Sequence, residues 1–458
     1  MRVIICGMGQ VGRSIAAYLS KEENDVTVID DEEDNIAQIH DELDVNAIVG
    51  HASDPEILSA AGAKDSDMII AVTKWDEVNM VACQIGHSLF GIPKKIARIR
   101  KQCYLDPAWS NLFSRTHMPI DVIISPENLI AQEIYQRFLV PGTTTVVPLS
   151  EGKVHLLGII CLDDCPVLNT QLSQLSNLFP DLSFEIVAIM RDRKNIVPDV
   201  NDMLDVGDEV YIVVDSSHMR RVMAAFGHLE TTARRVVVSG GGDIGLSLIN
   251  LLQKQTHALQ LKVIEDNDER ALFLSEELEN LIVLHGSSLD RDVLKEASVE
   301  TAETFVALMS DDENNILGSL LAKQYGCERV ITLVNNNAYY PLVGPLGIDV
   351  MVSPNSIIVA NIMQHVRRGR IKGIHNLGDG YSEVIEAEVS DSSRIVNKQI
   401  GELELPREVV FGAIVRGDEV IIPKPDLEIK ADDHVIILTA SSEAHHVERL
   451  FSVQVDLF

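Results

Sequence analysis

VIICGMGQVG, Val3 to Gly12, sets four apolar residues ahead of three spaced glycines. A buried strand that turns sharply into a helix aims backbone N–H groups at the turn, and an anion there meets the positive end of the helix dipole. Gly7 suits the tight turn, Gly9 the close approach of a ligand, and Gly12 the packing of helix on strand, while Met8, Gln10 and Val11 complete the loop. Such a pattern also occurs as a plain strand-to-helix turn, so its surroundings decide. Asp30 closes the next apolar run, 18 residues past Gly12. A carboxylate there accepts hydrogen bonds from both ribose hydroxyls and repels a 2′-phosphate, so NAD(H) or another adenine nucleotide is expected rather than NADP. The rival reading is an ancestral loop that holds no ligand.

The same phrase returns as VVVSGGGDIG, Val236 to Gly245, and Gly7, Gly9 and Gly12 match Gly240, Gly242 and Gly245 at an offset of 233. GHASDPEIL (Gly50 to Leu58) answers GSSLDRDVL (Gly286 to Leu294), and DEVN (Asp76 to Asn79) answers DENN (Asp312 to Asn315). VIISPENLI (Val122 to Ile130) is matched by VMVSPNSII (Val350 to Ile358), and AIMRDRKNIVPD (Ala188 to Asp199) by AIVRGDEVIIPKPD (Ala413 to Asp426). GDEVYIVV (Gly207 to Val214) likewise parallels DDHVIILT (Asp432 to Thr439). The chain is therefore a duplication in which a large unit is followed by a small one.

In the first large unit, Val3–Cys6, Val26–Asp30, Ala47–Val49, Met68–Val72 and Ile96–Ile99 read as short buried strands. They alternate with helical stretches such as Val11–Leu19 and Glu77–Phe90. Strand and helix in alternation imply right-handed crossovers and a parallel sheet covered on both faces. Ser125 and Pro126 mark a further helix start, and Leu129, Ile130, Ile134 and Phe138 form an apolar stripe expected to pack on another subunit. VPGTTT, Val140 to Thr145, reads as a linker into a small unit with strands at Val154–Ile160, Phe184–Met190 and Glu209–Val214. Arg367–Gly373 takes the linker role in the second half. The expected architecture is α/β, two tandem repeats, each a Rossmann-like doubly wound parallel-sheet N-domain followed by a small α+β C-domain. The expected domains are residues 1–124, 140–228, 233–352 and 371–458.

Composition sets the outer limits. The 458 residues exceed one ordinary core, and a net charge of −31 repels phosphate backbones and anionic lipid, so nucleic acid is not an expected partner. Cys6, Cys83, Cys103, Cys161, Cys165 and Cys327 lack paired two-residue spacing and read as small buried residues of a reducing cytosol. With no apolar stretch of about 18 residues to cross a bilayer and no secretory leader, a cytoplasmic protein is expected.

Arg98 and Arg100 of ARIR fall at the C-terminal edge of a late strand, where open parallel sheets bind ligands, and either guanidinium can grip a phosphate. The alternative is an arginine paired with one of the many acids. The second half reads TLVN, Thr332 to Asn335, in that place, and Asp243 puts a carboxylate into its loop, although Glu265 can still serve a ribose. The second pocket is thus expected to bind more weakly, differently or not at all. For a dehydrogenase, a positioned acid–base group is required, and His51 is a loop histidine that the repeat replaces by Ser287. Two nucleotide folds without attached chemistry point to a sensor, with a soluble NAD-dependent oxidoreductase as the alternative.

IICGMGQVG, VID, GHASDP, AVTKWDEVNMVACQ, ARIR and SPENL, followed by SGGGDIG, GSSLD and DDENNILGSLLAK, together resemble the TrkA family, regulatory subunits of bacterial Trk potassium-uptake systems. The resemblance runs over essentially the whole chain and implies two RCK units in tandem, with no enzymatic activity. It further implies a peripheral protein on the inner face of the cell membrane, assembled as a homo-oligomeric ring, a tetramer, beneath a membrane-embedded Trk potassium channel. NAD(H), and ATP or ADP at the same site, are the implied ligands. Carried over, Gly7 to Val11, Asp30, Thr73, Lys74 and Arg98 would contact nucleotide, and Gly240, Gly241, Gly242, Asp243, Ile244 and Glu265 would match them in the second domain.

Overall fold

Strand β1 (Arg2–Cys6) is buried along Val3 to Cys6, and α1 (Gln10–Lys21) follows the glycine turn. The chain continues through β2 (Asp25–Asp30), α2 (Glu33–Glu42), β3 (Asn46–Val49), α3 (Pro55–Ala60), β4 (Met68–Ala71), α4 (Asp76–Ser88), β5 (Lys94–Arg98), β6 (Val122–Ile124) and α5 (Pro126–Leu139). The six strands lie in the order β3-β2-β1-β4-β5-β6 and pair in parallel, with Val3 opposite Val26 on one side and Met68 on the other. Because helices must cross back over the sheet, β1 and β4 are apolar on both faces and read as unbroken hydrophobic runs. Local chemistry starts the helices: Asp54 accepts from Glu56 N and Pro55 fills the first turn of α3.

The coordinates form a computed structural model that describes every residue except 22–23, 193, 256–258, 279–280, 344, 367–370, 378–381, 441–442 and 452–458. It divides into two compact units, Met1–Ile130 with Ser353–His365, and Ala131–Val352 with Val366–Phe458.

A second sheet follows, built from β7 (Thr143–Leu149), β8 (Val154–Ile160), β9 (Phe184–Arg191), β10 (Lys194–Ile196) and β11 (Glu209–Asp215), in the antiparallel order β10-β9-β11-β8-β7. The expected linker Val140–Thr145 is in part strand: Thr143 to Thr145 belong to β7, where three β-branched residues suit a pleated edge better than a tether. Helices α6 (Leu172–Leu178) and α7 (Met219–Ala225) cover one face through Leu175, Val222 and Met223.

The duplication repeats both layers. Strands β12 (Arg235–Ser239), β13 (Gln260–Glu265), β14 (Ile282–His285), β15 (Thr304–Ala307), β16 (Arg329–Leu333) and β17 (Val350–Val352) form a parallel sheet ordered β14-β13-β12-β15-β16-β17. Between and after these strands the chain forms α8 (Asp243–Gln255), α9 (Asp268–Glu277), α10 (Arg291–Glu296), α11 (Asp312–Gln324), α12 (Tyr340–Val343) and α13 (Pro354–Val366). The last sheet holds β18 (Ile371–Asn376), β19 (Ser382–Glu388), β20 (Val410–Arg416), β21 (Glu419–Ile421) and β22 (His434–Ala440), covered by α14 (Ala444–Phe451). Of the second expected linker, residues 367–370 lie outside the described residues, and Ile371–Gly373 open β18. The uncovered face of the second sheet meets that of the fourth, with Val187, Tyr211 and Val213 packed among Ala413, Val415 and Ile436. Gly412 makes this contact possible, since a Cβ there would stand 2.7 Å from Val213 Cγ2.

Two expectations need correction. Most of the stripe on α5 is covered within the chain, with Ile130, Ile134 and Phe138 buried and Leu129 half-buried, because the helices after the two parallel sheets trade places: α13 falls in the unit of the first sheet and α5 from Ala131 onward in the other. No second subunit is needed to bury it. Cys103 is exposed while the other five cysteines are buried, since it sits in the polar loop after β5.

Candidate functional site

The first glycine loop lies at the C-terminal ends of the parallel strands, the edge at which such sheets expose backbone donors. Gly7 has φ +100°, a left-handed conformation, and a Cβ on it would stand 2.8 Å from the backbone of Thr73. A Cβ on Gly12 would stand 1.8 Å from Gly7 O, so that glycine is required by the close approach of α1 to its own loop. Gly9 differs from both, being exposed with nothing within 4 Å of its missing Cβ. The fold therefore needs Gly7 and Gly12, whereas Gly9 leaves open room for something outside the protein.

Asp30 is buried at the end of β2 and anchors the loop. Its Oδ2 accepts from Met8 N at 2.6 Å, and its Oδ1 accepts from Glu32 N at 3.0 Å and Asn35 Nδ2 at 2.9 Å. Arg13, one turn into α1, donates through Nε to Met8 O at 3.0 Å and through its remaining nitrogens to Gln38 Oε1 and Asn35 Oδ1. Gln10 is exposed at the start of α1 and Val11 is buried beneath it.

Across the loop, Asn79 on α4 is fully buried and ties two strand ends together. Its Oδ1 accepts from Thr73 N and Thr73 Oγ1, and its Nδ2 donates to Thr73 O and to Arg98 O at 2.9 Å. Sequence reasoning passed over this residue, although its recurrence as Asn315 in the DEVN and DENN pair was the available signal. Arg98 donates through Nη2 to Thr73 O at 2.8 Å, while its buried Nε meets no acceptor among the described residues. Burial pulls its guanidinium below the usual arginine range, and the charge of Arg100 adds to the effect. Lys74 is exposed, 3.5 Å from Glu32 and 5.8 Å from the Trp75 ring centre. Arg100 is turned to Glu127, donating from Nε to Oε1 at 3.1 Å, while its backbone N–H is held by Asp76. Arg98 thus keeps a buried Nε without an acceptor among the described residues, whereas Arg100 is engaged through Nε by Glu127. His51 contacts Ser53 Oγ at 2.7 Å in an exposed loop.

The second loop repeats this geometry closely. Gly240 has φ +106°, a Cβ on Gly245 would stand 2.1 Å from Gly240 O, and Gly242 again has nothing within 4 Å. Gly241 N donates to Glu265 Oε2 at 2.6 Å, as Met8 N does to Asp30. Asp243 begins α8 and Ile244 follows half-buried. Asn315 clamps Met309 and Leu333 as Asn79 clamps Thr73 and Arg98. The cations are missing: Ser310 and Leu333 stand where Lys74 and Arg98 stand in the first half.

Against known families, residues 3–126 and 236–354 match the model of the TrkA-N domain, and residues 158–227 and 384–452 that of the TrkA-C domain. The Trk system potassium uptake protein TrkA of Azorhizobium caulinodans is 44% identical over 458 residues, covering 100% of both chains. The chain belongs to the TrkA family. The TrkA protein of Halomonas elongata is 40% identical over the full length of both. Among solved structures, the GsuK RCK domain superposes with a TM-score of 0.61 at 15% identity, covering 98% of this chain and 94% of that one. A GsuK channel bound to NAD gives 0.60 at 16% identity, covering 98% and 78%, and these two likenesses bear on the fold. The TrkA-family fold is thus two α/β repeats of parallel and antiparallel sheets, and membership places the chain among regulators of potassium transport rather than among oxidoreductases.

Proposed function

We propose that this chain is a nucleotide-sensing regulatory subunit of a Trk-type potassium-uptake system, with the first glycine loop as its principal ligand site. The observation that carries the reading is the contrast among the three glycines: Gly7 and Gly12 are packed against backbone, whereas Gly9 is bare beside the Asp30-anchored loop. In this reading backbone N–H groups of Gly9 to Val11 hold a pyrophosphate, Asp30 holds the adenosine ribose, and Arg98, with Thr73 and Lys74 beside it, neutralises phosphate charge. The fit favours NAD(H), with ATP or ADP at the same place, and Asp30 disfavours a 2′-phosphate. The four domains are taken as residues 1–124, 140–228, 233–352 and 371–458.

The partner is a membrane-embedded potassium channel subunit, met from the cytoplasmic side by a ring of four copies. Among the described residues no helix is long and apolar enough to cross a membrane. Ligand occupancy reaches the rest of the chain through a short relay. Asp76 holds the backbone of Arg100, Arg100 holds Glu127, and Glu127 stands in the first turn of α5, a helix that leaves one unit at Ile130 and enters the other at Ala131. A ligand that binds one arrangement of this relay more tightly shifts the population toward it.

Calorimetry with NADH and ADP tests the site, and potassium uptake by cells lacking the protein tests the role. Asp30→Ala and Gly9→Ala are each expected to lower nucleotide affinity at least tenfold, with Gly9→Ala leaving the thermal midpoint near wild type and Gly12→Ala lowering it. Wild-type chain is expected to restore uptake and Asp30→Ala to lose its response to nucleotide. Unchanged affinity in both variants would overturn the site.

A further inference from the structure

The two loops carry the same cap from opposite sides. Arg13 Nε donates to Met8 O in the first half, and Arg270 Nε donates to Gly241 O at 2.7 Å in the second, the same loop carbonyl in the repeat. The cap comes from the helix after the loop in one case and from α9 in the other. In the repeat Asn35 and Gln38 correspond to Arg270 and Phe273, and Arg13 corresponds to Leu246. So of the two positions that supply neutral acceptors to Arg13, one supplies the guanidinium itself in the second half and the other supplies Phe273, whose ring centre lies 5.0 Å from it.

What differs is the charge of the acceptors. Arg13 gives its other nitrogens to two neutral amide oxygens, so no carboxylate offsets it beside the loop among these contacts. Arg270 gives Nη2 to Asp243 Oδ1 at 3.2 Å, and Asp243 is the first residue of α8, where Gln10 stands in the first half. Asp243 therefore occupies both things an incoming phosphate would use, the dipole of the helix start and the nearby guanidinium.

We propose that the Asp243–Arg270 pair is a built-in gate that keeps the second N-domain from taking a nucleotide phosphate at concentrations that fill the first. Asp243 stands in for the ligand anion, and a nucleotide must displace it from Arg270 before it binds. The inference rests on the reading of the first loop as a nucleotide site, and it assigns Asp243 and Arg270 as the residues that set how many nucleotides one chain holds. Removing one negative charge a few ångströms from a bound phosphate is worth about tenfold in affinity at a partly exposed site.

Calorimetry of the full chain with ADP decides it. Wild type is expected to take one ADP per chain, and Asp243→Gln, which installs the first-half residue, is expected to add a second site or tighten it about tenfold. Adding Glu265→Ala to that variant is expected to return the count to one. Gln10→Asp is expected to weaken the first site about tenfold, which keeps the test alive should Asp243→Gln fold poorly. Two equal sites in wild type overturn the gate, as does an Asp243→Gln chain that binds as wild type does. If Asp30→Ala leaves the first site intact, the underlying nucleotide assignment fails instead, and the two failures are told apart.

Discussion

Arg329, at the start of β16, donates through Nη1 to the carbonyl oxygen of Arg137 in the last turn of α5, at 2.9 Å, and through Nη2 to Thr143 O at the same distance. The equivalent strand of the first sheet does likewise, as Lys94 Nζ donates to His365 O in the last turn of α13. Each parallel sheet thus holds the carbonyl end of the helix that follows the other one, where a cation complements the helix dipole and satisfies carbonyls that the helix leaves unpaired.

Replacing Arg329 by Met should therefore destabilise the chain by about 2 to 4 kcal/mol, because two carbonyls lose charge-assisted partners in a buried setting. Burial already holds the Arg329 guanidinium down to about 10, so the loss concerns a desolvated group rather than a surface one. Denaturant unfolding followed by circular dichroism checks this. A midpoint equal to wild type would mean that the helix end is held by packing alone.

Asn79 and Asn315 separate stability from binding. Each is fully buried and clamps two strand ends, so Asn79→Ala and Asn315→Ala should each cost about 2 to 4 kcal/mol in unfolding experiments. Only Asn79→Ala displaces Thr73 and Arg98, and it alone should weaken NADH binding, by roughly tenfold or more. Equal loss of affinity in both variants would move the ligand site away from the first sheet.

Glu185 makes the packed faces of the two antiparallel sheets sensitive to pH. Burial pushes its carboxyl up to about 7, and the repeat places Val410 at the same position. An acid whose folded value is raised holds its proton more tightly in the native state. Its contribution is complete below the unfolded value near 4.5 and is lost as pH rises through about 7. Glu185→Gln should accordingly raise stability at pH 8 by about 2 kcal/mol and leave it unchanged at pH 4.5, as read from thermal midpoints across that range. A constant difference between the two proteins at every pH would exclude titration of Glu185 as the cause.

Much of this molecule follows from short-range rules. Strand and helix succeed one another because apolar runs of four or five residues alternate with amphipathic stretches, and the loops are legible because no residue but glycine tolerates the approach of Gly12 to Gly7 O or the left-handed turn at Gly7. The duplication, the Asp30 and Glu265 anchors and the arginine at 98 are likewise present in the order of residues. Other features depend on pieces far apart in the chain. The stripe of Ile130, Ile134 and Phe138 announces that it will be buried, but hydrophobic burial has no direction and does not name the partner, and the exchange of α5 and α13 supplied one inside the chain. Asn79 and the Arg13 and Arg270 caps escaped notice for a related reason. A hydrogen bond is specific to its angle and distance, and those are set only once the fold has brought α4 beside the ends of β4 and β5, α2 beside α1 and α9 beside α8.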